Sequence, residues 1–169
     1  MKIRLRIARR LLDSIRRDLE RPHDFAAERI GVVYSRFTYL PTLGLIILAH
    51  NYTPVPDDQY VDDPQFGAVI GSRAIRDVIQ HVYDHPVGAF HIHMHPGRGI
   101  PRPSLPDLKE TAQFVPDFFH GRQSVPHGAL ILSANSISGR VWLKERGRPQ
   151  PITAVRIVGA PTERIMGAA

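Results

Sequence analysis

Cysteine is absent from the 169-residue chain. This absence excludes disulfide bonds, thiolate metal ligands and a cysteine nucleophile. No apolar run reaches the ~20 residues that a membrane-spanning helix needs. Charged residues from Arg9 to Arg16 interrupt the apolar positions near the N-terminus, so the pattern predicts no secretory signal there. We therefore expect a cytoplasmic protein without a membrane partner.

Lysine is scarce, although the chain is basic. It has 22 basic and 16 acidic residues, and its formal net charge is +6. Only Lys2, Lys109 and Lys144 are lysines, so the other basic residues are arginines. A basic excess is compatible with nucleic acid or an acidic partner. The arginines are scattered outside residues 4–17 and are not interleaved with aromatic residues, so we interpret them as a solvated surface and do not expect nucleic acid as a partner.

The hydrophobic pattern predicts an α/β (α+β) fold, with a mixed central sheet flanked by helices. We assign residues 1–160 to a single domain and residues 161–169 to a C-terminal tail. Apolar residues at helical spacing predict helices at residues 3–20, 72–83 and about 104–115. Apolar and alternating runs predict strands at residues 28–36, 42–50, 87–94, 128–133, 138–143 and, more weakly, 152–158. A segment rich in Pro and Asp predicts a surface loop over residues 51–65.

Three metal-ligand side chains lie at or beyond the end of the predicted strand 87–94. His93 and His95 occupy alternate positions, which share one face of an extended strand. A Gly/Pro-rich loop then leads back to Asp107, which opens a predicted helix. Two imidazoles and one carboxylate, with a fourth position open, form the ligand set expected of a catalytic zinc ion. His91 has the same spacing to His93, so the pair His91/His93 is an alternative to His93/His95. An iron site with two histidines and one carboxylate also remains open.

Several residues together resemble the JAB/MPN family of zinc metalloproteases, whose signature is the JAMM motif. Glu28 and Gly31 match its Glu-x-x-Gly, and His93, His95 and Pro96 match its His-x-His-Pro. Ser104 and Asp107 match its Ser-x-x-Asp. The matching residues extend from 28 to 107. Eight residues separate His95 from Ser104, where the family usually has seven, and Met94 stands where most members carry Ser, Thr or Asn.

The resemblance implies a small prokaryotic-type member with a cytidine-deaminase-like architecture. It further implies that one catalytic Zn²⁺ is bound by His93, His95 and Asp107. Glu28 acts as general acid and base on a water molecule, and Ser104 donates a hydrogen bond to the oxyanion of the tetrahedral intermediate. The reaction is hydrolysis of a peptide or isopeptide bond after the C-terminal tail of a ubiquitin-like protein, and a homodimer is compatible with the family.

The resemblance also predicts how the substrate binds. Its tail lies extended beside a sheet edge, flanked by the loops 51–65 and 97–103. We interpret the acidic cluster in the first loop as a solvated surface, with contact to a basic tail or protein face as the alternative. The members of this cluster are Asp57, Asp58, Asp62 and Asp63.

Two alternatives of other classes stay open. Pro-Ser-x-x-Asp after His-x-His-Pro also resembles the RadC-like, nucleic-acid-associated branch of the same fold, although the usual Ser-Gly is absent. An inactive MPN scaffold is the other alternative, but such scaffolds typically lose ligands that are present here. Cupin and metallo-β-lactamase patterns fit worse. Outside the motif we interpret His120 and His127 as surface or turn residues and Trp142 as a core residue.

Overall fold

A computed structural model describes residues 1–63 and 68–159, and it describes residues 163–166 as a strand. Nine strands of the described chain form one mixed sheet, in the order β11-β10-β1-β3-β2-β6-β7-β8-β9. These strands are β1 (Ile3–Ala8), β2 (Ile30–Leu40), β3 (Gly44–Pro54), β6 (Gly88–Met94), β7 (His127–Leu132), β8 (Ile137–Trp142), β9 (Gln150–Pro151), β10 (Ala154–Val158) and β11 (Glu163–Met166). A separate two-stranded sheet pairs β4 (Tyr60–Val61) with β5 (Val69–Ile70).

Four α-helices in the described residues accompany the sheet. They are α1 (Arg9–Leu19), α2 (Ser72–Asp84), α3 (Leu105–Phe114) and α4 (Phe118–Gly121). A short 3₁₀ turn also forms at Asp57–Gln59. Within the main sheet β1 is parallel to β3 and β10, and β6 is parallel to β7, whereas the other neighbours are antiparallel. The predicted α/β (α+β) class, a mixed sheet flanked by helices, is confirmed.

The first helix begins later than the sequence predicted. Residues 3–8 form β1, and the helix α1 begins at Arg9. Ile3, Leu5 and Ile7 alternate along the chain and are buried. Because β1 lies between β3 and β10, this alternate set packs on one sheet face. Strand pairing therefore overrides the helical spacing in the first turn and a half of the predicted helix.

Two helical layers cover opposite faces of the sheet. The side chains of α1 pack in one buried cluster with Phe90 and Ile92 of β6. Residues of α2 and α4 pack in another cluster, together with Ala89 of the same strand. Successive residues of a strand point to opposite faces, so His91 and His93 share the face of Ala89. The ring of His91 confirms this direction, since its centroid lies 4.9 Å from that of Phe114 in α3.

The other predicted helices and strands agree with the structure to within a few residues, but the structure adds β4, β5, β9 and α4, which the sequence did not predict. The strand β3 extends to Pro54, so residues 51–54 of the predicted surface loop belong to the sheet. Residues 163–166, assigned to a tail, form β11 against β10. Residues 64 and 65 of the predicted loop, and 161–162 and 167–169 of the predicted tail, lie outside the described residues. No described helix is long and apolar enough to cross a bilayer.

Candidate metal centre

The two predicted histidine ligands lie at the carboxyl end of β6, in the interior of the sheet. His93 is in register with Ile30 of β2 on one side and Ile131 of β7 on the other. His95 follows the strand, and its backbone N–H donates to the carbonyl of Leu132 at 2.9 Å. This bond keeps the chain extended through His95, so both imidazoles point the same way. Their Nε2 atoms lie 3.0 Å apart.

Asp107 reaches both histidines from the first turn of α3. Its Oδ1 lies 3.4 Å from Nε2 of His93, and its Oδ2 lies 3.3 Å from Nε2 of His95. The carboxylate also accepts a hydrogen bond of 2.6 Å from the backbone N–H of Ser104. Burial opposes ionisation, but the hydrogen bonds with His93 and Ser104 outweigh it and hold the pKa of the Asp107 carboxyl well below its usual range.

These distances are close to those between neighbouring ligands of a tetrahedral metal ion, and they involve both oxygens of Asp107. Zinc lies about 2.0–2.1 Å from imidazole nitrogen and about as far from carboxylate oxygen, so neighbouring ligands of a tetrahedral site are about 3.3 Å apart. The three separations here are 3.0, 3.3 and 3.4 Å. Asp107 presents a different oxygen to each histidine. Two nitrogens and a carboxylate suit zinc, and the same set accommodates other first-row metals.

Glu28 brings a second carboxylate to the centre. It lies in a bend just before β2. One of its oxygens and one nitrogen each of His93 and His95 all lie within 4.8 Å of one another. Burial raises the pKa of the Glu28 carboxyl, the two histidines partly offset that rise, and the charge of Asp107 adds to it. The structure thus brings four predicted residues together and shifts the pKa values of their two carboxyls in opposite directions.

The segment next to Glu28 is fixed by Arg29 and Tyr60, which no sequence motif marks. The buried guanidinium of Arg29 donates to the carbonyl of Pro22 at 2.8 Å and forms an ion pair of 2.6 Å with Asp57. The backbone N–H of Ile30 donates to the hydroxyl of Tyr60 at 2.6 Å. Asp57, which the sequence placed in the acidic cluster of the surface loop, is therefore paired with Arg29 within the chain. No sequence motif marks Arg29, because a buried arginine becomes evident only when its tertiary contacts are known.

Gly31 has a steric reason to be glycine. A Cβ atom at this position would lie 2.3 to 2.5 Å from ring atoms of Tyr52 on the neighbouring strand. The hydroxyl of Tyr52 donates to Asp18 of α1, so the ring is held at both ends. Any larger residue would displace Tyr52 or the start of β2. The glycine of the Glu-x-x-Gly pattern therefore allows close packing three residues from Glu28.

Ser104 is the N-cap of α3. Its hydroxyl accepts from the backbone N–H of Asp107 at 3.2 Å, and the Asp107 carboxylate accepts from the Ser104 N–H in return, which completes a capping box. Ser104 is exposed at the edge of the centre. The predicted role as an oxyanion donor stays a prediction. The capping box explains how the sequence positions Asp107, because Ser-x-x-Asp is itself a helix-start pattern.

His91 and His127 are both buried. His91 is 6% exposed, burial lowers the pKa of its imidazole to about 3, and its Nδ1 has no hydrogen-bond partner among the described residues. Neither His91 nor Asp107 is part of the close group formed by Glu28, His93 and His95, but Asp107 contacts both of those histidines, whereas the ring of His91 packs on Phe114. The prediction that His127 is a surface or turn residue is wrong. It begins β7, its Nδ1 accepts from the Ala89 N–H at 3.1 Å, and its other ring nitrogen lies 2.9 Å from the Arg122 carbonyl oxygen.

Comparison with known proteins adds little to this geometry. No family model matches the chain, and no curated protein matches it. Among solved structures, the chain is similar to the STIL N-terminal domain of Trichoplax adhaerens, with 11% sequence identity and a TM-score of 0.39. That similarity covers 81% of this chain and 41% of the other. At this TM-score the likeness supports no conclusion about function.

Proposed function

We propose that this protein is a zinc-dependent peptidase with the JAB/MPN architecture, acting in the cytoplasm. Its substrate is an amide bond that follows the C-terminal tail of a ubiquitin-like protein. One observation carries the proposal. Glu28, His93, His95 and Asp107 come from three separate segments of the chain, in the order of the JAMM motif; Glu28 forms a close group with the two histidines, and Asp107 lies against both histidines.

The opposite pKa shifts divide the two carboxyls by role. Asp107 is ionised over the whole ordinary pH range and lies beside both imidazoles, so it suits a metal ligand together with His93 and His95. A bound zinc ion would supply a Lewis acid that lowers the pKa of water from 15.7 to about 7. Glu28 has a raised pKa, and general bases work best when their pKa approaches the working pH.

Glu28 would therefore accept the proton of the attacking water and return it to the departing amine. Its carboxylate oxygen lies within 4.8 Å of both imidazoles, which allows one water molecule to reach Glu28 and the centre together. Arg29 and Tyr60 fix the backbone on the C-terminal side of Glu28. The Glu28 side chain can therefore rotate while its backbone stays in place. We assign the oxyanion contact to Ser104, at the exposed rim.

The test compares cleavage of a ubiquitin-like fusion by wild-type protein and by Glu28→Gln. We expect wild-type cleavage that a chelator abolishes and added zinc restores. Glu28→Gln should retain one metal per chain and lose about 10²- to 10⁴-fold in kcat, the usual contribution of a general base. The control variant is Glu20→Gln, which changes an exposed glutamate that also precedes β2 in the sequence. It should cleave normally.

Two outcomes would contradict the proposal. Wild-type protein that binds one zinc ion but cleaves no fusion would indicate an MPN-like scaffold. Full cleavage by Glu28→Gln would show that Glu28 is not the base. Metal content measured on the same preparations separates a lost metal from a lost base.

A further inference from the structure

A cavity of about 540 Å³ opens directly beside the metal centre. His93 and Asp107 form part of its wall, so a group bound in it adjoins the candidate ligands. The remaining wall comes from the loop after His95, from β7 and β8, and from the segment around β9. Most of this wall is apolar, including Ile100, Ala129 and Ile131.

The loop that forms one wall is fastened to the turn between β7 and β8. The Ser133 hydroxyl donates to the Gly99 carbonyl at 2.6 Å, and the Gly99 N–H donates to the Asn135 side chain at 2.7 Å. The Ser138 hydroxyl donates to the Pro101 carbonyl at 2.7 Å. These bonds hold the loop open against the sheet, so the cavity is formed before any ligand binds.

The residues that line this cavity carry a net positive charge, and Arg102 is exposed at its rim. Arg102 and Arg140 both line it, and the single acid among its lining residues is Asp107, which already faces the two histidines. Arg140 is half-buried and lies over the ring of Trp142, with 5.5 Å between its guanidinium carbon and the ring centroid. Neither arginine forms an ion pair with any residue in the part of the chain that the structure describes. A guanidinium with free donors in an apolar wall suits a carboxylate.

We propose that this cavity binds the part of the substrate that leaves, and that this part is a C-terminal amino acid with an apolar side chain and a free carboxylate. The inference rests on the proposed peptidase function. On the N-terminal side of the cleaved bond the tail continues into a folded protein, so a free main-chain carboxylate exists only on the other side. A volume of about 540 Å³ accommodates one or two residues and not a second folded protein.

The reaction that follows is the trimming of a precursor. The water oxygen bonds to the carbonyl carbon, the C–N bond breaks, and the water's protons end on the amine and the new acid. The products are a ubiquitin-like protein with a new C-terminal carboxylate and one free amino acid. Arg140, supported by Arg102, binds the carboxylate of the departing residue.

A binding experiment tests the cavity without any catalysis. Metal-free protein is titrated with N-acetyl-L-leucine and with N-acetyl-L-leucinamide by calorimetry, so that the carboxylate has no metal to bind. We expect the acid to bind about 10- to 100-fold more tightly than the amide, the range of one charge-assisted hydrogen bond. Arg140→Gln should abolish this preference, Arg140→Lys should retain part of it, and Arg146→Gln, which changes an exposed arginine outside the cavity wall, should retain all of it.

Kinetics then tests the link to cleavage. Fusions that end in one leucine are compared as the free acid and as the amide, and we expect Arg140→Gln to raise KM for the acid about tenfold or more and to leave the amide unchanged. Equal binding of acid and amide by wild-type protein would overturn the inference while leaving the peptidase proposal standing. A preference for the acid without cleavage of any fusion would support a carboxylate site and overturn the peptidase function on which trimming rests. Thermal melting of each variant excludes misfolding.

Discussion

The two carboxylates of the centre are held by different kinds of structure. The Asp107 carboxylate is held directly, because it accepts a hydrogen bond from the Ser104 N–H and contacts the imidazoles of both histidines. Glu28 lies in a bend whose neighbours are fixed instead, through the buried Arg29 and the backbone of Ile30. We call the contacts that hold the Asp107 carboxylate itself the first clamp. We call the contacts of Arg29 and Ile30, which fix the backbone next to Glu28 and leave its carboxylate able to rotate, the second clamp.

This difference matches the proposed division of labour. A metal ligand loses affinity when its oxygen moves, so direct hydrogen bonds to the carboxylate are useful. A base must approach a proton and then release it, which requires a side chain free of strong partners. The pKa shifts agree, since the pKa of the Asp107 carboxyl is lowered and that of Glu28 is raised.

The largest expected effect is on zinc content, and it distinguishes the metal ligand from the base. Asp107→Asn should lose bound zinc at equal protein and metal concentrations, whereas Glu28→Gln should retain one equivalent. Asparagine keeps the size of the side chain and a cap acceptor, so the helix start survives while the ligand charge is removed. Metal analysis after gel filtration gives the comparison. Zinc retained by Asp107→Asn and lost by Glu28→Gln would reverse the assignment and make Glu28 the third ligand.

Sequence patterns predicted the placement of Asp107 beside the histidines, but not the contacts that fix the segment next to Glu28. His93, His95 and Asp107 lie on one strand end and one helix start, and their geometry follows from strand alternation and a capping box, which are local rules. The position of Glu28 depends on pairing between β2 and β6, which brings Ile30 beside His93. Only the resemblance to a known motif connected Glu28 with the histidines in advance.

The missed features share a physical cause. Residues 3–8 satisfy both strand and helix spacing, and the choice depends on β3 and β10, and the β10 partners lie 150 residues further along the chain. His127 is buried because β6 and the Arg122 backbone offer it hydrogen-bond partners. Arg29 is buried because backbone carbonyls accept its donors. In each case partners distant in sequence, or a particular loop path, decide the outcome.

A smaller effect separates two roles of Ser104 in the first clamp. Ser104→Ala removes both the cap acceptor and the hydroxyl donor, and it should destabilise the protein by about 1 kcal/mol. Ser104→Gly removes the same hydroxyl but costs only a few tenths of a kcal/mol as a cap. If Ser104 also contacts the oxyanion, both variants should lose about 10²- to 10³-fold in kcat. Cleavage rates and urea unfolding measure the two quantities. A kcat that is unchanged in both variants would leave Ser104 as a cap alone.

The smallest effect concerns the second clamp. Arg29→Met keeps an apolar stem in the buried position but leaves the carbonyls of Arg21 and Pro22 without their donor. Glu28 should then sample more positions, so kcat should fall by up to about 100-fold while zinc content stays at one per chain. Asp57→Asn is the matched control, because it removes the ion pair and spares the backbone bonds, and its carboxylate is 62% exposed. It should change kcat little. Loss of zinc from Arg29→Met in a folded protein would mean that this segment supports the ligands themselves, and the contrast between the two clamps would no longer hold.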